Sequence, residues 1–155
     1  MLDAYVINKK HLNDDFLANP DVDVKDHVGE MLLPGDRIPV TVTADAVKAM
    51  CDLLLRKFAL QSEKLVLGIR VKVVNSGCAG NQYKIEYVYG LRSDDEVFLF
   101  VDSETNMQVK IFIDGKTFFM ISGAKIDYVC QELTEGFVFV NPNESGRCGC
   151  GESFF

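Results

Sequence analysis

Three of the five cysteines lie in glycine-rich sequence, where a thiol can come close to a bound group. Cys78 lies within residues 76–80 (SGCAG), and Cys148 and Cys150 flank Gly149 near the end of the chain. Glycine adopts positive φ angles without steric penalty and lets the backbone approach a ligand. Thiolates are soft ligands that favour iron–sulfur clusters, zinc or Cu(I) over oxygen-seeking ions. We therefore predict that Cys78, Cys148 and Cys150 bind a metal ion or a cluster.

The number of candidate ligands narrows the kind of site. A structural zinc ion or a cluster usually takes four protein ligands, and this set has three. His11 and His27 lie apart in the N-terminal region, and neither has a partner at metal-ligand spacing. The fourth ligand then comes from another molecule, or two copies of the chain pool their thiolates around one cluster. An unsaturated site in a glycine-rich tail suits a cluster that is passed on, whereas a structural zinc site is normally closed.

Other interpretations use the same cysteines. Mononuclear iron, held for delivery to a scaffold, needs identical ligands, so the sequence does not separate it from cluster binding. A thiol redox protein normally carries C-x-x-C at a helix N-terminus, which lowers the thiol pKa. Cys148 and Cys150 instead form C-x-C in a tail without helical period, which disfavours redox catalysis. A zinc-stabilised interaction module lacks a fourth ligand.

Two charged residues beside the candidate ligands each have two interpretations. Arg147 precedes Cys148, where its charge would favour the thiolate, or it is an ordinary solvated arginine. Glu152 is either an iron ligand or part of a polar tail. The sequence leaves both questions open.

Cys51 and Cys130 are predicted to be buried core residues. Cys51 lies next to Met50 on an apolar helix face, and Cys130 continues the face of Ile126 and Tyr128 along a strand. Free cysteine is among the residue types most often buried, so a packing role explains both thiols.

Hydrophobic periodicity predicts a mixed α+β fold of mostly antiparallel strands. Thr43 is the predicted N-cap of a helix over about residues 44–58, and Asp114 caps a shorter helix that closes at Gly123. Residues 134–136 (TEG) predict a turn before the last strand. Strands are predicted at residues 40–43, 65–73, 83–87, 97–101, 109–113, 126–130 and 137–140. One longer and one shorter helix therefore accompany the strands that must position the cysteines.

Residues 1–39 carry more than half of the net negative charge. They hold eight acidic and four basic residues, a balance of −4 against −7 for the 155-residue chain. Prolines interrupt this region, and Leu12, Phe16 and Leu17 suggest one short amphipathic turn of helix. We predict a flexible acidic extension, or an arm that docks a partner, followed by one domain over residues 40–155.

Composition argues against several classes of function. The chain is 48% hydrophobic and 25% charged, as soluble globular proteins are, and its pI is near 4.8. An acidic surface repels phosphate backbones, so we expect no nucleic-acid partner. We also expect no membrane insertion, because no apolar stretch reaches the roughly 18–20 residues of a span. The first residues resemble neither a secretion signal nor a transit peptide, and five cysteines suit a disulfide framework poorly. We therefore expect a reducing, cytoplasmic location.

Three segments together resemble those of a known family. They are residues 77–83 (GCAGNQY), residues 141–143 (NPN) and residues 148–154 (CGCGESF). Their combination is similar to that of the A-type iron–sulfur carriers, also called the HesB-like family. The resemblance extends over roughly residues 40–155.

The resemblance implies a fold, a ligand set and a role. The fold would be a compact β-rich α+β sandwich, the HesB-like domain. Cys78, Cys148 and Cys150 would bind a 2Fe–2S or 4Fe–4S cluster, or iron, commonly between the subunits of a homodimer. The protein would be a carrier and not an enzyme, receiving clusters from an iron–sulfur scaffold or donor protein and passing them to apo-protein acceptors. The chain departs from the family in its acidic extension and in a few surplus residues near 93–108, where two strands are predicted to meet in a longer hairpin.

Overall fold

The computed structural model describes residues 4–7, 30–31, 40–60, 64–76, 80–147 and 153–155. Within these residues the strands are β1 (Ala4–Ile7), β2 (Glu30–Met31), β3 (Val40–Val42), β4 (Gly68–Asn75), β5 (Asn81–Val88), β6 (Asp95–Val101), β7 (Gln108–Asp114), β8 (Lys125–Gln131) and β9 (Thr134–Val140). The helices are α1 (Ala44–Ala59) and α2 (Gly115–Met120), and neither is long and apolar enough to cross a membrane. The predicted α+β fold, with one longer and one shorter helix, is confirmed.

The strands form two sheets around one main core. The five-stranded sheet has the order β1-β6-β7-β4-β5, and the four-stranded sheet has the order β2-β3-β8-β9. Neighbouring strands pair antiparallel, except that β3 is parallel to β8 and β4 is parallel to β7. Apolar side chains from both sheets and from both helices fill the main core. Because side chains alternate between the faces of a sheet, a second cluster of Val88, Val97 and Phe112 lies on the opposite face of the five-stranded sheet.

Helix α1 begins at the predicted N-cap. The Thr43 hydroxyl accepts a hydrogen bond from the Ala46 amide at 3.2 Å and donates one to Asp127 Oδ1 at 2.7 Å, which ties the helix to β8. Leu55 is 47% exposed, because it lies about 100° around the helix from the buried Leu54, although its residue type and its spacing from Cys51 predict a place on the apolar face. The side chains that α1 buries are Ala46, Val47, Ala49, Met50, Cys51 and Leu54.

Helix α2 also begins at its predicted cap. Both carboxylate oxygens of Asp114 accept from Thr117, one from its amide and one from its hydroxyl, each at 2.8 Å. Phe118 is fully buried in the main core. Gly123 has a φ angle of +77°, which suits the predicted end of the segment. The Met120 carbonyl at the end of the helix accepts hydrogen bonds from outside it, as terminal carbonyls must.

Two short segments before residue 40 form strands that the sequence analysis did not predict. β1 pairs antiparallel with β6 over four residues, and β2 pairs antiparallel with β3 over two. Segments this short show no reliable period, although the aromatic and β-branched residues of AYVI favour strands. The helical turn predicted at Leu12, Phe16 and Leu17 lies outside the described residues.

The last hairpin turns earlier than predicted. Gln131 pairs with Thr134, so Glu132 and Leu133 form the turn and residues 134–136 belong to β9. The turn predicted at residues 134–136 is therefore wrong. A two-residue loop is enough to reverse an antiparallel pair, and threonine favours a strand over a turn.

Candidate functional site

The predicted ligands Cys78, Cys148 and Cys150 lie outside the described residues, as does Glu152. No group of three His, Cys, Asp or Glu side chains that could hold a metal ion occurs among the residues that are described. The candidate site is therefore defined by the chain on either side of the cysteines. The residues that flank them are Ser76, Gly80, Arg147 and Ser153.

The hairpin of β4 and β5 closes directly around the segment that carries Cys78. Ser76 donates two hydrogen bonds to the Gly80 carbonyl, from its amide at 2.7 Å and from its hydroxyl at 2.8 Å. Gly80 has a φ angle of +93°, which residues with a side chain rarely adopt. A Cβ atom at this position would lie 2.5 Å from the Phe154 carbonyl oxygen. Both the backbone angle and the close approach of the C-terminal segment therefore require glycine.

The C-terminal segment pairs with the start of β5. Asn81 and Phe154 exchange two backbone hydrogen bonds, each of 2.8 Å. Gly146 and Phe155 exchange two more, of 3.1 and 3.0 Å, and Arg147 forms an antiparallel bridge with Phe154. Three extended stretches therefore lie side by side in the order Asn81, Phe154, Arg147. Each of them leads into a cysteine-bearing segment within a few residues.

A stack of three aromatic rings stabilises this junction. The ring of Tyr83 lies between those of Phe139 and Phe154, with centroid distances of 4.3 and 4.4 Å and interplanar angles of 4° and 12°. The three rings come from β5, from β9 and from the C-terminal segment. Each such pair contributes roughly 0.5–1.5 kcal/mol beyond its buried area. The stack therefore joins one sheet to the other and joins the tail to both.

Glu144 is the centre of a polar network at the edge of the stack. The Tyr83 hydroxyl donates a hydrogen bond to the Glu144 carboxylate and accepts one from Asn141 Nδ2 at 3.0 Å. Burial raises the pKa of Tyr83, and its hydrogen bond to the Glu144 carboxylate raises it further. Tyr83 is therefore neutral over the physiological range and acts as a hydrogen-bonding group.

Arg147 is held on two sides. Its Nε and Nη2 atoms donate to the Glu144 carboxylate at 2.7 and 3.0 Å, and Nη2 also donates to the Phe139 carbonyl. The bond to Glu144 is the main reason that the pKa of Arg147 is raised. Arg147 is thus not an isolated solvated arginine, and Glu144 offsets part of its charge. Its effect on the thiolate of Cys148 stays a prediction.

The Asn-Pro-Asn segment links the junction to helix α2. Asn141 Nδ2 donates to the Met120 carbonyl at 3.0 Å as well as to Tyr83, and its Oδ1 accepts from the Asn143 amide at 3.0 Å. Asn143 Nδ2 donates to the carbonyls of Ser122 at 2.8 Å and Met120 at 3.2 Å. The two asparagines therefore satisfy backbone carbonyls at the end of α2 and fix the chain that runs on to the cysteines.

We expect Asn141→Ala to lower the free energy of unfolding by about 1–3 kcal/mol, because the buried side chain makes three hydrogen bonds, to Tyr83, the Met120 carbonyl and the Asn143 amide, and all three are lost. Urea unfolding of the apo-protein measures the change. Asn143→Ala is the matched control, with a smaller expected loss because water can replace an exposed amide. Equal losses in the two variants would contradict the linking role given to Asn141.

An open cleft of about 590 Å³ lies between β5 and β9, next to the aromatic stack. Its walls combine apolar side chains with the polar side chains of Gln82 and Arg147. The residues that line it are Gln82, Tyr83, Ile85, Phe137, Val138, Phe139 and Arg147.

The two remaining cysteines differ from each other. Cys51 is buried, as predicted, and burial raises the pKa of its thiol to about 11. Cys130 is exposed, so its predicted core position is wrong. Exposure increases along its face of β8 from Ile126, which is fully buried, through the partly buried Tyr128 to Cys130, which lines an open cleft beside polar residues of helix α1.

Sequence reasoning missed Glu144 and the stacking role of Tyr83. The position of Tyr83 predicts a strand residue at the end of the motif that contains Cys78, but gives no partner for its ring. Glu144 directly follows residues 141–143 and precedes Arg147 by three residues. An acidic and a basic side chain three residues apart can form an ion pair within a turn, so this spacing could have predicted the contact between Glu144 and Arg147.

Comparison with known sequences identifies the family. The sequence profile for iron-sulphur cluster biosynthesis matches residues 38–152. The chain is 47% identical over 88 residues to the iron-binding protein IscA of Serratia proteamaculans (strain 568), which covers 57% of this chain and 77% of that protein. IscA of Pectobacterium carotovorum subsp. carotovorum (strain PC1) is 44% identical over the same length and coverage.

Solved structures agree with the fold. The crystal structure of Escherichia coli SufA, involved in biosynthesis of iron–sulfur clusters, matches with a TM-score of 0.51 and 30% identity over 75% of this chain and 91% of that chain. A crystal structure of IscA with the 2Fe–2S cluster matches with a TM-score of 0.53 and 24% identity over 74% of this chain and 96% of that chain, which supports the fold alone. The predicted resemblance to the A-type carriers is thus confirmed, and this chain belongs to the iron-sulphur cluster biosynthesis family.

Proposed function

We propose that this protein is an iron–sulfur cluster carrier. Its cargo is a 2Fe–2S or 4Fe–4S cluster held by Cys78, Cys148 and Cys150, and it transfers that cluster to apo-proteins. The observation that supports the proposal is the backbone pairing of Asn81 with Phe154, which joins the chain just after the Cys78 segment to the chain just after the segment of Cys148 and Cys150.

Chain geometry supports a shared site. Paired antiparallel residues lie roughly 4.5–5.5 Å apart, so the stretches at Asn81 and Arg147 are separated by about 10 Å across Phe154. Cys78 is three residues from Asn81, and Cys148 follows Arg147 directly. Since an extended residue spans at most about 3.6 Å, the thiols can reach a common ion or cluster.

Transfer would proceed by ligand exchange. Thiolates of an acceptor replace Cys148 and Cys150 one at a time, while Cys78 or a second subunit retains the cluster. Each exchange swaps one thiolate for another, so it needs no electrons and leaves the iron and sulfide unchanged. A homodimer would supply six thiolates, two more than a cluster usually takes, so some can leave before the cluster is lost. The proposed partners are an iron–sulfur scaffold or donor protein and apo-protein acceptors, with no enzymatic turnover.

Two proposals on organisation accompany this function. Residues 1–39 form an acidic extension and residues 40–155 form the carrier domain. The protein acts in the cytoplasm, because thiolate ligands need reducing surroundings to stay available.

A second candidate function is delivery of mononuclear iron to a cluster scaffold. The specific observation in its favour is that the relatives IscA of Serratia and of Pectobacterium are named iron-binding proteins. The same three cysteines would hold the iron, so composition of the bound cargo must separate the two functions.

Anaerobic reconstitution with iron and sulfide tests both. The carrier function predicts a coloured protein with equal iron and acid-labile sulfide that loses both to an apo-ferredoxin. Iron without sulfide would favour iron delivery instead. Stoichiometric zinc, with neither iron nor sulfide, would overturn both.

A further inference from the structure

Strand β6 would be the outer strand of the five-stranded sheet without β1. The order β1-β6-β7-β4-β5 places β1 as the only described strand on that side of β6. β1 pairs with four residues of β6, from Ala4 opposite Phe100 to Ile7 opposite Val97. β1 lies well before residue 38, where the match to the family profile begins. The strand that covers β6 therefore comes from outside the family's matched region.

The edge that β1 covers is unusually apolar. Val97, Phe98, Leu99 and Phe100 are consecutive, and none is more than 4% exposed. Phe98 and Phe100 pack in the main core, and Val97 packs in the cluster on the opposite face. Natural proteins place charge, proline or a cover on a sheet edge, because an apolar edge invites pairing with another chain.

Leu99 is the residue of β6 whose burial is least explained by the rest of the described core. Leu99 is only 4% exposed, yet it belongs to neither buried cluster of the described residues. The register places Tyr5 of β1 directly opposite it. Paired residues in antiparallel strands lie on the same face, so β1 extends the sheet beside Leu99.

The sequence of strand β6 would allow it to pair with β6 of a second copy of the chain. Two antiparallel copies of Asp95–Val101, centred on Phe98, would place Val97 opposite Leu99 and Asp95 opposite Val101. No like charges would face each other, and the contact would have the two-fold symmetry that homodimers favour. A second copy of this chain therefore fits the edge.

We propose that β1 is a covering strand that occupies the β6 edge and prevents it from pairing with β6 of a second copy. The role is separate from cluster binding, because β5, which leads to the Cys78 segment, is at the opposite edge of the same sheet.

The test uses the full chain in a background without cluster-bridged dimers, provided by serine at Cys78, Cys148 and Cys150. Proline at both Tyr5 and Val6 removes two successive amides of β1. Since successive amides point in opposite directions, one of them must face β6. We expect this variant to self-associate at a concentration roughly tenfold lower than its parent in sedimentation velocity. Asn13→Pro is the control, which places proline in the extension outside β1 and leaves association unchanged.

Addition of Leu99→Lys to the proline variant shows whether the association uses β6. A charge on the edge should restore the behaviour of the parent, because charged edges resist pairing. Unchanged association in the proline variant, or association that Leu99→Lys does not reverse, would overturn the proposal.

Hydrogen exchange of the unsubstituted apo-protein provides a test that does not depend on variants. If β1 covers β6, successive amides of residues 97–100 are protected at concentrations where the protein is monomeric. Protection of only alternate amides, those that bond to β7, would show that the edge is open and would overturn the proposal.

Discussion

Serine in place of Cys78, Cys148 or Cys150, one at a time, is expected to reduce the iron and sulfide retained after reconstitution to background. The serine hydroxyl stays protonated at neutral pH and is a harder ligand than a thiolate. Each substitution leaves two thiolates per chain and either breaks the C-x-C pair or removes the ligand that comes from the other segment. Iron and acid-labile sulfide, measured after desalting, give the result directly.

The matched control for these variants is Cys130→Ser. Cys130 is exposed, so this change removes a thiol with little cost in packing, and we expect full cluster retention. Cys51→Ser should also retain the cluster, because a thiol whose pKa burial raises to about 11 stays protonated and does not act as a ligand. Wild-type iron and sulfide in any one of the three site variants would remove that residue from the ligand set. Loss of the cluster in Cys51→Ser would contradict its core role.

The parts of the fold that could be predicted are those determined by residues close to each other in the sequence. Both helices begin at capping residues, Thr43 and Asp114, whose side chains bond to amides three residues later. The alternation of apolar residues in β4 and β5 likewise reflects contacts that a strand with one face on the core must make. Local chemistry alone is sufficient to locate such elements.

The features that the sequence analysis missed depend on distant parts of the chain. Cys130 is exposed at an open cleft that it shares with Asp45, Lys48 and Asp52 of helix α1, and nothing in the residues around it in the sequence carries that information. The stack of Phe139, Tyr83 and Phe154 joins three elements whose proximity follows only from the complete topology. The motif around Cys78 includes Tyr83, but only the structure shows that its ring stacks on those of Phe139 and Phe154, next to the chain that flanks the predicted ligands.

Alanine at position 80 is expected to lower the free energy of unfolding by about 2–5 kcal/mol. A residue with a side chain pays roughly 1–2 kcal/mol for the left-handed region that Gly80 occupies at a φ angle of +93°. Overpacking adds about 1–3 kcal/mol, because the new Cβ would lie 2.5 Å from the Phe154 carbonyl oxygen, a backbone atom that cannot rotate away. Urea unfolding of the apo-protein measures the sum, and an unchanged m-value would show that the unfolding transition itself is the same.

The same substitution should also weaken cluster retention, because Phe154 must move away from Asn81 to relieve the clash between its carbonyl oxygen and the new Cβ. We expect faster hydrogen exchange at the amides of Asn81 and Phe154, together with less iron and sulfide per chain after reconstitution. Gly90→Ala is the control: a Cβ there meets no atom within 4 Å and the φ angle is not positive, so stability should change by no more than about 0.5 kcal/mol. If Gly80→Ala lost stability but kept both the slow exchange and the full cluster content, the pairing of Asn81 with Phe154 would not be what holds the two cysteine-bearing segments together. If Gly80→Ala lost stability, slow amide exchange and cluster content together while Gly90→Ala kept all of them, cluster binding would depend on the pairing of Asn81 with Phe154.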